Sequence, residues 1–214
     1  MIEAPTTQER YTRAVQSSSL RVEADVRGDA DVLIAAGWCK SKFGGALMRL
    51  QAEWDGAERW GVKVPVRPTK RAIMAEAQVV LKGGVRKITA ASMEAARAKL
   101  EGYYEAEMRK LAGALKSLPE VITMLELKLL LDGQSAELAA PLVLYWLDPV
   151  CKVCGGRKYQ LAPCKTKLSE RACGCCAGEG VVKPPAGEIG LESMDLMNSC
   201  VLRAGGEVRN ACRY

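Results

Sequence analysis

The sequence predicts a mainly α-helical protein, a helical bundle that carries a small cysteine-rich module near its C-terminus. Three observations predict it. Aromatic residues make up only 5% of the chain, with Phe43 the single phenylalanine, so the core is built from Leu, Val, Ala and Met, which suit helices better than sheets. From Ala90 to Leu118 the apolar residues Met93, Ala96, Leu100, Tyr104, Met108, Leu111, Leu115 and Leu118 recur every three or four positions, one stripe of a 3.6-residue repeat. Between Cys151 and Gly180 the pattern changes to paired cysteines and glycines. That stretch opens with Cys151-Lys152-Val153-Cys154-Gly155-Gly156 and closes with Cys173-Gly174-Cys175-Cys176-Ala177-Gly178-Glu179-Gly180.

Residues 1–30 are polar and read as a partly ordered leader with a short strand at Leu20–Val26. A helical domain spans 31–150. Asp31 caps its first helix, and Gly37 with Gly44-Gly45 punctuate a helical hairpin. The turn holding Gly37 and Ser41 admits a helix-turn-helix, although core packing explains the same pattern. Gly56, Gly61, Pro65 and Pro68 mark a loop, after which Thr69 caps a helix running to about Lys82 and ended by Gly83-Gly84. The long Ala90–Leu118 helix stops at Pro119. Its stripe also suits a homodimer interface.

Two further helices, Glu120–Leu131 and Ser135–Leu147, are apolar round most of their circumference, as in the centre of a bundle. The second delivers the chain into Cys151, so residues 151–183 form a module stapled to the helical core. Lys183-Pro184-Pro185 is a stiff exit, and 184–214 hold a short helix at Leu191–Ala204 and a frayed basic tail.

A content of 49% hydrophobic and 26% charged residues describes a soluble globular protein. Met1-Ile2-Glu3-Ala4-Pro5 has no basic region followed by an apolar run, so no signal peptide is expected. The longest apolar stretches are too short to cross a bilayer, so no membrane partner is expected either. Nine cysteines, an odd number, fit a reducing cytoplasmic interior and metal binding better than a disulfide framework. The chain has no histidine, which removes the commonest general base and every Cys–His metal pattern. No Walker loop, dinucleotide fingerprint or nucleophile–base set is present, so the protein is not expected to be an enzyme.

Two Cys-x-x-Cys pairs separated by 18 residues fall in the window for a four-cysteine zinc site. Two intervening residues let the backbone form a knuckle that aims both sulfurs at one point, and the glycines after each pair let it turn back so that amides approach the thiolates. Cys151, Cys154, Cys173 and Cys176 are the candidate ligands for one Zn²⁺. Four protein ligands leave no open position, so the metal is structural. Cys164 or Cys175 can replace one of the four. Cys173 with Cys176 is preferred because it restores the two-residue spacing before Gly178 and Gly180. Cys39, Cys200 and Cys212 read as ordinary thiols.

Residues 151–183 contain Lys152, Arg157, Lys158, Lys165, Lys167, Arg171 and Lys183 against Glu170 and Glu179, a net +5 in a chain of net +6. These seven are the candidate nucleic-acid-binding residues. Compensation of the −2 charge of a zinc tetrathiolate accounts for part of the same excess. Lys63, Arg67, Lys70, Arg71, Lys82, Arg86 and Lys87 form a second basic cluster, diluted by acidic neighbours.

The order Cys-x-x-Cys-Gly-Gly, basic loop, Cys-x-x-Cys-x-Gly-x-Gly after an all-helical segment resembles the late-gene antitermination protein Q family of lambda-like phages. The stretch from Asp31-Val32-Leu33-Ile34-Ala35-Ala36-Gly37 to Phe43-Gly44-Gly45-Ala46-Leu47 is also similar to a segment near the N-terminus of those proteins. The resemblance touches about a third of the chain. It implies a DNA-binding transcription antiterminator in a bacterial host cytoplasm. Its partners would be double-stranded DNA and bacterial RNA polymerase. Cys151, Cys154, Cys173 and Cys176 match the family's zinc ligands, and the loop carrying Arg157, Lys158, Lys165, Lys167 and Arg171 matches its finger loop. The sequence departs from the family in having only 34 residues after Gly180 and in the long Ala90–Leu118 stripe. The knuckle motif also occurs in the cysteine-rich region of DnaJ-type chaperones, which carries further repeats. The alternative is therefore a non-catalytic, zinc-braced protein-interaction module.

Overall fold

The computed structural model describes residues 5–17, 20, 28–77, 79–82, 85–161 and 168–212. Among these the chain is mainly helical, with eight α-helices and two small antiparallel hairpins. It divides into two compact units, Met1–Gly56 with Ser117–Tyr214, and Ala57–Lys116.

In the larger unit, helix α1 (Thr7–Gln16) opens with a capping box: the Thr6 hydroxyl accepts the Glu9 amide at 3.2 Å, and the Glu9 carboxylate accepts the Thr6 amide at 2.7 Å. The stretch read as a partly ordered leader is therefore helical over these residues, and it buries Tyr11 and Ala14. The strand expected at Leu20–Val26 falls, beyond Leu20, outside the described residues. Helix α2 (Asp29–Gly37) starts three residues earlier than a cap at Asp31 implies. Asp31 caps it from inside the first turn by accepting the Gly28 amide at 2.8 Å. Arg13 donates two hydrogen bonds to Asp29, at 2.7 and 2.8 Å, and ties α1 to α2.

Helix α3 (Lys42–Arg59) runs straight through Gly44-Gly45, which the sequence offered as punctuation. Gly44 is there for close approach: a Cβ on it would lie 2.3 Å from the Cys200 carbonyl oxygen and 2.9 Å from the Ala204 Cβ of helix α8 (Gly187–Ala211). That last helix has 25 residues, against the short one expected. It passes Gly205-Gly206 as regular helix and buries Val208 in the region read as a frayed tail. Tyr11, Val32, Ala35, Cys39, Met48, Ala52, Ala204 and Val208 form one buried cluster among α1, α2, α3 and α8.

Pro119 does not end a helix; it sits in the first turn of α6 (Leu118–Leu131), where a missing N–H costs nothing. The break precedes it. The Ser117 amide and hydroxyl both donate at 2.9 Å to the Glu53 carboxylate of α3, which satisfies the start of α6. Helix α6 buries Leu118, Val121, Leu125 and Leu129 on one face but leaves Leu127, Leu130 and Leu131 exposed, so it is not the all-round buried helix the composition suggested. A 3₁₀ turn at Ala136–Leu138 leads into α7 (Ala139–Leu147), which buries Ala139, Leu142, Val143 and Leu147.

The smaller unit has helix α4 (Lys70–Glu76), strands β1 (Val79–Lys82) and β2 (Val85–Ile88), and helix α5 (Ala90–Ala114). Thr69 caps α4 as expected, accepting the Ala72 amide at 3.2 Å. The helix ends at Glu76 rather than near Lys82, because Val79-Val80-Leu81-Lys82 pairs with β2 as an antiparallel hairpin. Gly83-Gly84 lie outside the described residues. Helix α5 buries Ala96 and Leu111 from its stripe, and Met93 and Leu100 pack with Ala96 against Ile73 and Ala77.

No helix among the described residues is long and apolar enough to cross a membrane.

Candidate metal centre and basic ribbon

Asp148, Pro149 and Val150 link α7 to the cysteine module, which is tied back to the helix. Tyr145 of α7 donates its hydroxyl to the Val182 carbonyl at 2.6 Å, and Val182 packs on the cysteines. The entering and leaving strands pair: Val150 bridges Val181 in antiparallel fashion, and the Val182 amide donates to the Pro149 carbonyl at 3.0 Å.

Within this frame the two knuckles have the same backbone. The first, second and fourth residues after the second cysteine all have positive φ: Gly155 57°, Gly156 77° and Lys158 69° in one, Ala177 50°, Gly178 87° and Gly180 83° in the other. Left-handed backbone folds the chain back over the sulfur, so that amides point inward. The Gly180 amide donates to Cys176 Sγ at 3.3 Å. Amides of Cys154 and Val153 reach Cys151, and that of Lys158 reaches Cys154. Each knuckle then closes the other. The Cys173 amide donates to the Lys158 carbonyl at 2.8 Å, and the Cys151 amide to the Gly180 carbonyl at 2.9 Å.

The result is a buried four-sulfur cluster of Cys151, Cys154, Cys173 and Cys176, whose sulfurs all lie within 4.8 Å of one another. Cys151 and Cys173 sulfurs are 3.9 Å apart, and those of Cys154 and Cys176 are 3.7 Å apart. Disulfide bonds would need about 2.05 Å. A zinc tetrathiolate with Zn–S of about 2.3 Å has tetrahedral edges of about 3.8 Å, which these distances match. The donor set fits one zinc ion held by four thiolates.

Electrostatics points the same way. The amides of Cys154 and Val153 pull the Cys151 thiol down to about 6, while burial and the neighbouring thiols push Cys154 up to about 11. Four thiols this close cannot all ionise by themselves; a divalent cation at their centre removes the conflict.

Strands β3 (Tyr159–Leu161) and β4 (Leu168–Ala172) form an antiparallel ribbon that leaves the first knuckle and returns to the second. Tyr159, Leu168, Glu170 and Arg171 are exposed, so no other described element covers the ribbon. Arg157, Lys158, Arg171 and Lys183 are outside the buried core and form no ion pair with a described carboxylate. Lys152 is different: it is paired with Asp148. Lys165 and Lys167 lie outside the described residues, as does Cys164. Cys175 is exposed and outside the four-sulfur cluster, so the preferred set is the one the structure brings together.

Sequence reasoning did not pick out Tyr145, Val182 or the paired roles of Lys158 and Gly180. The signal for the last two was present, since each stands four residues after the second cysteine of its knuckle. No family model, curated protein or solved structure matches the chain.

Proposed function

We propose that the protein is a DNA-binding transcription regulator in which one structural zinc ion braces a basic β-ribbon against duplex DNA. The carrying observation is the uncovered ribbon rooted at both ends in the four-sulfur cluster, with unpaired Arg157, Lys158 and Arg171 beside it. A two-stranded ribbon has dimensions that the major groove admits, and cations fixed by a rigid base neutralise phosphates in register. The resemblance to the late-gene antitermination protein Q family extends this reading to action on bacterial RNA polymerase as an antiterminator.

The test is affinity for a labelled duplex at two salt concentrations, followed by terminator read-through with purified polymerase. Binding that falls steeply with salt and weakens in Arg157→Gln/Arg171→Gln supports the reading. Equal binding by that variant overturns it.

A second reading, a zinc-braced protein-interaction module, is favoured by one observation. An open cleft of about 560 Å³ is lined by Tyr145, Trp146, Met194, Val201 and Leu202, with Trp146 fixed by a 2.9 Å hydrogen bond to Asn198. Salt-insensitive capture of a protein partner, with no binding to DNA, would select it.

A further inference from the structure

We propose that residues 57–116 form a second DNA-contacting surface, holding the phosphate backbone of a duplex through Lys63, Arg67, Lys70 and Arg71. This goes beyond the zinc ribbon and does not depend on it.

Residues 57–116 contain thirteen lysines and arginines against six acids, a net +7 that exceeds the +6 of the whole chain. Within the unit the charge is segregated. Helix α5 carries Arg97, Lys99, Arg109 and Lys110 against Glu94, Glu101, Glu105 and Glu107, a net of zero. Such a mixture is typical of an ordinary solvated helix face. Residues 57–88 carry eight cations against Glu58 and Glu76, a net +6. Glu76 is already paired with Lys99.

Lys63, Arg67, Lys70 and Arg71 are all exposed, and none forms an ion pair with a described carboxylate. They are strung along the segment before α4 and into its first turn. Arg67 lies over the Tyr104 ring, 5.8 Å from its centroid, which orients the guanidinium without neutralising it. Cations gathered on one stretch of backbone, with no described carboxylate paired to them, are the footprint of phosphate contact. No base-reading group is implied, so the surface contributes affinity rather than sequence preference.

The experiment uses the full chain with bound metal and a labelled duplex, with affinity measured from about 50 to 200 mM salt. Three proteins are compared: wild type, Arg67→Gln/Lys70→Gln/Arg71→Gln, and the ribbon variant Arg157→Gln/Arg171→Gln. The triple variant is expected to bind more weakly on every duplex sequence. Its slope of log K against log salt should fall by about 2.7, from three lost phosphate contacts at about 0.9 each. The charge-keeping variant Arg67→Lys/Lys70→Arg/Arg71→Lys should retain most of the slope, and unchanged thermal unfolding excludes a folding defect. A triple variant with the affinity and slope of wild type overturns the proposal, as does absence of DNA binding by wild type. A ribbon variant that binds normally while the triple variant fails removes the ribbon's role and leaves this surface standing.

Discussion

The Lys158 carbonyl accepts the Cys173 amide at 2.8 Å, so the last residue of the first knuckle holds the first residue of the second. The Gly180 carbonyl holds the Cys151 amide in return, at 2.9 Å. Neither knuckle closes without its partner, and the loss of one sulfur should disturb both. Each of Cys151→Ser, Cys154→Ser, Cys173→Ser and Cys176→Ser is predicted to lose zinc and to unfold at lower temperature. Cys175→Ser, outside the cluster, should keep both metal and melting temperature. Zinc content of the five variants checks this, and loss of metal from the Cys175 variant would refute the ligand assignment.

Lys158 occupies a left-handed position, φ 69°, where its counterpart in the second knuckle is Gly180 at φ 83°. A non-glycine residue there costs about 1–2 kcal/mol. Keeping lysine at a position that glycine fills more easily is sensible if the side chain has work outside the fold. Lys158→Gly is therefore predicted to raise the melting temperature or leave it unchanged while weakening duplex DNA binding. Unfolding and binding measured on the same preparation separate the two effects. Intact binding by this variant would count against the ribbon as the DNA contact.

The cysteine module was legible because its chemistry is local. Two-residue spacings and glycines at fixed offsets are written directly in the chain, and they single out the four cysteines that the fold gathers. Helix boundaries were less legible where tertiary contacts decide them. Gly44-Gly45 look like a break, yet α3 passes through them because α8 packs against Gly44. Gly205-Gly206 look like a tail, yet α8 continues through them to bury Val208. Val79 to Lys82 extended a helical reading until pairing with β2 converted it to strand. Pro119 misled because proline is equally at home just past the end of one helix and in the first turn of another.

The adjacent glycines of α3 should respond in opposite ways. A Cβ at Gly44 meets Cys200 backbone oxygen at 2.3 Å, whereas at Gly45 it meets nothing within 4 Å. Gly44→Ala is predicted to destabilise by about 1–3 kcal/mol through overpacking against α8. Gly45→Ala should stabilise by about 0.5–1 kcal/mol through helix propensity. Chemical denaturation of both variants tests the pair, and equal effects would contradict the close α3–α8 contact.

Glu207 of α8 gathers the loop before α3. Its carboxylate accepts the Cys39 thiol at 3.1 Å and the Lys40 and Ser41 amides at 2.8 and 3.3 Å. The Cys39 bond first, then the two amides, hold the Glu207 carboxyl below its ordinary 4.5. A carboxyl depressed in the folded state contributes stability above its unfolded value, and that contribution is lost as pH falls through the folded value. Glu207→Gln should therefore melt below wild type at neutral pH, with the gap closing as pH falls from 4.5 through the lower folded-state value. A gap that stays constant across that range would mean that the carboxylate's charge plays no part.

The most direct test of the account is the zinc itself. Protein purified without added metal should contain one zinc per chain, and X-ray absorption at the zinc edge should show four sulfur neighbours at about 2.3 Å. No bound metal, or a first shell with oxygen in place of one or more sulfurs, would contradict the four-cysteine centre on which the DNA-facing ribbon is built.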